Sequence, residues 1–188
     1  MPRQGLNREI ILRKAVDLIN KDGYSNLTLA ALAAEFNVKP PALFKHYKNL
    51  DGLKESLTLY GISILKQCLQ DALTGKAGEH AVAAMCHAYR NFARSNTGLY
   101  QAIQPYYFRK NKTIEDAAMQ IMIIMTRVLD GFNIEQENYI HLLRVIRSSL
   151  HGFVVLEFDF GFGVTGSIDL SFEHQINSLI ALIKSVEH

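Results

Sequence analysis

Residues Leu29 to Tyr47 read LAALAAEFNVKPPALFKHY, and that spacing admits few folds. Leu32, Ala33 and Phe36 recur at helical intervals, Asn37 interrupts, and Val38 and Leu43 resume the apolar series on a second short helix. The small side chain of Ala33 lets two helices approach closely. Asn37 is among the few non-glycine residues that tolerate the left-handed backbone which a tight interhelical turn requires. Pro40 and Pro41 fall in the first turn of the second helix, where their missing N–H groups would be unpaired in any case. The spacing therefore predicts a helix-turn-helix whose second helix turns Lys39, Ala42, Lys45 and His46 away from the core, toward a groove of duplex DNA. A small helical hairpin on a protein surface is the plainer alternative.

The chain has 188 residues, enough for one sizeable domain or a small one joined to a larger one. With 48% hydrophobic residues, 20% charged and four prolines it has the composition of a folded, soluble, helix-rich protein. Apolar runs such as Ile121–Met125 are far too short to span a membrane, and no signal-type segment follows Arg3 and Arg8. Cys68 and Cys86 fit no metal-ligand spacing and are too few for a disulfide scaffold, so a cytoplasmic protein with reduced thiols is expected. Charge is divided unevenly. Residues 1–50 hold eight Lys/Arg against four Asp/Glu, and residues 51–188 hold twelve against fourteen. A basic head on a mildly acidic body suits a phosphate-binding module attached to something else.

Periodicity predicts an all-α chain of about nine helices with no strand. The first runs from about Asn7, a candidate N-cap, to Asp22, where Gly23 stops it. Thr28 is the candidate N-cap of the second, and the short Pro40–Tyr47 helix is the third. Further helices are expected at about Leu50–Leu73, Glu79–Arg94, Leu99–Gln104 (ended by Pro105), Thr113–Leu129, Glu135–Phe160 and Asp169–Val186. Gly75–Gly78, Asn96-Thr97-Gly98, Arg109–Lys112 and Gly161–Gly166 read as breaks. This organisation predicts a DNA-binding domain over residues 1–48 and a C-terminal helical bundle over residues 49–188.

The first sixty or so residues resemble the DNA-binding domain of TetR-type transcriptional regulators, through Gly23-Tyr24, Thr28, Leu32-Ala33, Asn37-Val38, Ala42-Leu43-Phe44 and His46-Tyr47. Phe92-Ala93, Gly98-Leu99-Tyr100, Leu150-His151-Gly152 and Leu156-Glu157 are similar to a C-terminal subgroup of that family marked by a Trp-x-x-x-His-Gly pattern; here Arg147 occupies the tryptophan position. The resemblance implies a homodimer whose last two long helices pair with those of a second copy in a four-helix bundle. It also implies a near-palindromic double-stranded DNA operator, and a small-molecule effector that lowers DNA affinity by moving the two heads. No cofactor, metal or membrane is implied.

The candidate DNA-binding residues are Thr28, Lys39, Pro40, Ala42, Leu43, Lys45, His46, Tyr47, Lys48, Asn49 and Lys54. Lys39, Lys45 and Lys48 neutralise phosphates, or reach a base in the case of Lys45, unless they only solvate a basic face. Ala42 suits a thymine methyl or helix packing. Tyr47 either contacts DNA or wedges the hairpin onto the long helix. Phe44 stands where the family commonly has a tyrosine whose hydroxyl reaches a phosphate, and Leu50 where a lysine often begins the next helix, with Lys48 or Lys54 as its substitute.

An aromatic and methionine-rich set in the body suits either ordinary core or a pocket for a largely apolar effector. The candidate ligand-binding residues are Tyr89, Phe92, Tyr100, Ile103, Tyr107, Met122, Met125, Arg147 and His151. Arg147 interrupts an apolar stripe, either to face an anionic effector or to pair with a carboxylate of another helix. Gly152 within a helix points to close helix contact. The chain shows no metal site and no catalytic constellation. His80 and His87 lie two helical turns apart, and Cys86 and His87, being adjacent, point in different directions. An all-α ligand- or partner-binding protein without DNA binding, or a helical enzyme, are the competing classes.

Overall fold

The computed structural model describes residues 5–104 and 111–188, and among them every regular element is helical. The described residues form eight α-helices: α1 (Arg8–Asp22), α2 (Leu29–Glu35), α3 (Leu50–Leu73), α4 (Gly78–Ser95), α5 (Thr97–Ile103), α6 (Lys112–Arg127), α7 (Gln136–Phe158) and α8 (Ile168–Lys184). Short 3-10 turns lie at Tyr24–Asn26, Pro40–Ala42 and Val128–Gly131. The expected ninth helix is the one that differs. After Pro40 the chain makes a 3-10 turn in which Ala42 N–H donates to Lys39 O and Leu43 N–H to Pro40 O. His46 N–H in turn donates to Leu43 O, so i→i−3 bonds take the place of a continuous α-helix until Tyr47 N–H also reaches Leu43 O. Tyr107 and Pro105, both named in the sequence reading, lie outside the described residues.

The chain divides into two compact units, residues 1–64 with 96–118, and residues 65–95 with 119–188. In the first unit α1 begins at Asn7, whose Oδ1 accepts from Ile10 N–H at 2.9 Å, and stops at Gly23 (φ 89°). Thr28 Oγ1 accepts from Ala31 N–H at 3.0 Å and opens α2. Asn37 takes the left-handed conformation, φ 53°. Ile11, Ala15 and Ile19 of α1, Leu32 and Ala33 of α2, Leu43, and Leu53 and Leu57 of α3 form one buried core.

Helix α5 belongs to this same unit and packs hard on α1. Gly98, expected to break the chain, lies inside α5, because a Cβ there would stand 2.4 Å from the Ile19 carbonyl. Its N–H donates to Asn20 Oδ1 at 2.9 Å. Gln101 Oε1 accepts from Tyr24 N–H, and Thr58 Oγ1 donates to Ala102 O. Lys112, expected in a loop, starts α6.

In the second unit α4, α7 and α8 pack together with the 3-10 turn at Val128–Gly131. Arg90, on the buried face of α4 beside Cys86 and Ala93, is only 5% exposed. Its guanidinium holds both oxygens of Glu157 at 2.9 and 2.6 Å and reaches Asp169 at 2.8 Å. The rings of Phe172 and Phe153 lie 4.5 and 5.4 Å from it. One cation thus fixes the end of α7 and the start of α8 to α4, with its charge matched in place.

Candidate nucleic-acid interface

The turn after α2 is anchored from behind. Leu43 is fully buried, and Tyr47 is 3% exposed with its hydroxyl donating to Arg8 O at 3.0 Å. The Arg8 guanidinium lies 4.8 Å from the centre of the same ring. Leu43 and Tyr47 therefore face inward, since each buries a large apolar surface that a DNA contact would leave wet. Lys39, Phe44, Lys45 and Lys48 face solvent, while Pro40, Ala42 and His46 are half-buried beside them. Among the described residues Lys39, Lys45 and Lys48 enter no ion pair, whereas Lys14 of α1 is paired with Glu35 of α2 at 3.3 Å. Three unneutralised cations on one short segment make a local positive field for phosphates.

Three further candidates carry structural duties. Asn49 Oδ1 accepts from Gly52 N–H at 2.9 Å and caps α3. Lys54 places its ammonium 5.3 Å from the centre of the Tyr24 ring. Thr28 caps α2 and keeps its hydroxyl proton available for a phosphate at the positive end of that helix.

The candidate ligand residues fall in different places. Tyr100 and Ile103, on α5, are buried in the unit that carries the helix-turn-helix. Tyr89 and Phe92 on α4 and Met125 on α6 are buried in the other unit, where Met122 is half-buried. Arg147 and His151, four residues apart on α7, are half-buried; burial first, then the charge of Arg147, holds the His151 imidazole below its ordinary range. A cavity of about 280 Å³ in that unit is lined instead by Gln70, Leu73, Thr74, Lys76, Ala81, Ile124, Arg127 and Val128. Burial pushes the Cys86 thiol up to about 12, which leaves it inert as a nucleophile.

Arg90 is not among the residues singled out from sequence. Its signal was present, because it falls on the same stripe as Val82, Cys86 and Ala93, where a cation needs a buried partner.

Residues 11–57 match the family model described as bacterial regulatory proteins, tetR family, and residues 82–179 match the tetracyclin repressor-like C-terminal domain. An uncharacterised HTH-type transcriptional regulator of Bacillus subtilis (strain 168), YobS, is 33% identical over 82% of this chain and 81% of its own. Another uncharacterised HTH-type transcriptional regulator, from Mycobacterium tuberculosis, is 32% identical over 87% of this chain and 74% of its own. Among solved structures, a protein of unknown function from Rhodococcus sp. RHA1 superposes with TM-score 0.83 at 20% identity, over 97% of this chain and 98% of that one. A TetR variant from Acinetobacter baumannii AYE in complex with minocycline has TM-score 0.67 at 18% identity, over 97% and 99% of the two chains. With both its domains matched, the chain belongs to the TetR family of bacterial transcriptional regulators, with a DNA-binding domain at its N-terminus and a tetracyclin repressor-like domain at its C-terminus.

Proposed function

We propose that this protein is a homodimeric repressor in the cytoplasm, regulating transcription without catalysing a reaction, and released from its operator by a small, largely apolar effector. The observation that carries this reading is the turn from Lys39 to Lys48, whose buried Leu43 and Tyr47 turn unpaired lysines outward. Each subunit places that turn in the major groove of one half of a near-palindromic operator. Lys39, Lys48 and the Thr28 hydroxyl hold phosphates, and Lys45, Pro40, Ala42 and His46 approach the bases.

Exposed apolar side chains on α7 and α8 favour pairing with a second copy: Ile140, Val145 and Leu156 on the first, Ile168, Leu170 and Leu182 on the second. For the effector, Tyr89, Phe92, Met122 and Met125 supply an adaptable apolar wall, and Arg147 and His151 the polar contacts. The minocycline complex of the similar Acinetobacter protein supports a bulky ring compound as the kind of molecule this fold accepts.

Selection of duplexes from a random pool with the full-length protein, followed by titration of the enriched duplex against salt, tests the reading. An enriched inverted repeat bound with a steep salt dependence is expected. Absence of enrichment at low salt would refute it.

A further inference from the structure

The outward face of the recognition turn is rich in donors and apolar groups and nearly devoid of acceptors. From Lys39 to Lys48 the chain contains no carboxylate, no amide and a single hydroxyl. That hydroxyl belongs to Tyr47, which is buried and donates to Arg8 O. Of the flanking amides, Asn49 Oδ1 accepts from Gly52 N–H, and Asn37 lies before the segment, in the left-handed turn that ends α2. What remains outward is an apolar stripe of Pro41, Ala42 and Phe44 set among Lys39 and Lys45. Phe44 leaves half of its surface to solvent.

Base edges in the major groove sort cleanly against this set. Cytosine and adenine are distinguished by amino donors, which demand an acceptor from the protein; guanine offers the acceptors O6 and N7, and thymine offers O4 and a methyl group. We propose that each operator half-site is specified through guanine acceptors and thymine methyls, with Lys45 donating to guanine and Pro41, Ala42 and Phe44 packing on thymine. The one side chain on the outward face that can offer an acceptor is the imidazole of His46. Phe44 is thereby a specificity residue: with no hydroxyl to give a phosphate, it contributes an apolar face to a base instead. This assignment rests on the DNA-binding reading given above.

The test uses the full-length protein and the duplex it enriches from a random pool. Deoxyuridine replaces thymidine one position at a time, which deletes a methyl and leaves base pairing intact. Each contacted thymine should then bind about fourfold more weakly, the equivalent of one buried methyl group, and symmetric replacement in both half-sites about sixteenfold. Phe44→Ala, at an exposed position, should still bind the parent duplex and should lose the penalty for uracil at one of the sensitive positions. Replacing guanine by 7-deazaguanine at the specified guanines should weaken binding as well. A flat uracil scan on a duplex that is still bound in a salt-dependent way overturns the edge assignment and leaves the DNA-binding reading standing. Failure to enrich any duplex overturns both.

Discussion

Gly98→Ala puts a methyl group where α5 and α1 come closest. The new carbon would stand 2.4 Å from the carbonyl carbon and oxygen of Ile19 and 2.6 Å from its Cγ1. Carbon atoms pack at about 3.5 Å or more, so roughly 1 Å must be found, and a helix backbone yields far less readily than the tip of a side chain. Moving α5 outward by that amount also stretches the bond from Gly98 N–H to Asn20 Oδ1, now 2.9 Å, beyond hydrogen-bonding distance. Overpacking costs about 1–3 kcal/mol, and the lost hydrogen bond about 1 kcal/mol more. For a chain of this size each kcal/mol lowers Tm by about 2–4 °C, so the variant should melt roughly 4–16 °C below the parent. Thermal unfolding followed by far-UV circular dichroism measures this directly. A variant melting within about 1 °C of the parent would show that α5 is not seated on α1 as described.

Other substitutions probe the remaining parts. Arg90→Met should destabilise the protein by about 3 kcal/mol, because Glu157 keeps only the distant Arg94 as a partner, and urea unfolding should show its midpoint falling. Lys39→Ala and Lys48→Ala should each reduce the salt slope of operator binding by about one, with no change in melting temperature. The imidazole of His151 is held below its ordinary range in the folded state, so the unfolded chain binds its proton first as pH falls. Its contribution is therefore present above the ordinary histidine range and is lost on acidification, and the fall in urea midpoint from neutral to mildly acidic pH should be smaller in His151→Gln. A Cβ at Gly152 would meet no other part of its own chain within 4 Å, so Gly152→Leu should leave helix content intact while shifting sedimentation of the proposed dimer toward monomer.

Long, strongly periodic segments bounded by clear stop signals could be read from sequence. The helix expected over Leu50–Leu73 is found with those limits, because Asn49 caps it and a glycine pair follows it. The helix-turn-helix was legible for the same kind of reason: Thr28, Asn37 and Leu43 each do locally what their chemistry suggests. The recognition segment was not, since a proline pair is as compatible with a tight 3-10 turn as with the start of an α-helix. Gly98 misled because a glycine required by a neighbouring backbone looks the same, in one dimension, as a glycine that ends a helix. The outward or inward facing of Leu43 and Tyr47 also depended on α1, thirty or more residues away.

The two kinds of charge in this protein have opposite exposure to dissolved ions. The lysines of the recognition turn stand in water, where added electrolyte competes for their partners over distances near 10 Å. Arg90 meets Glu157 out of solvent and between aromatic rings, where mobile ions scarcely penetrate. Raising ionic strength should consequently unfasten the protein from DNA while leaving the α4, α7 and α8 assembly intact. Sodium chloride thus serves as a selective reagent for one of the two kinds of charge, and recovery of binding on dilution would be complete.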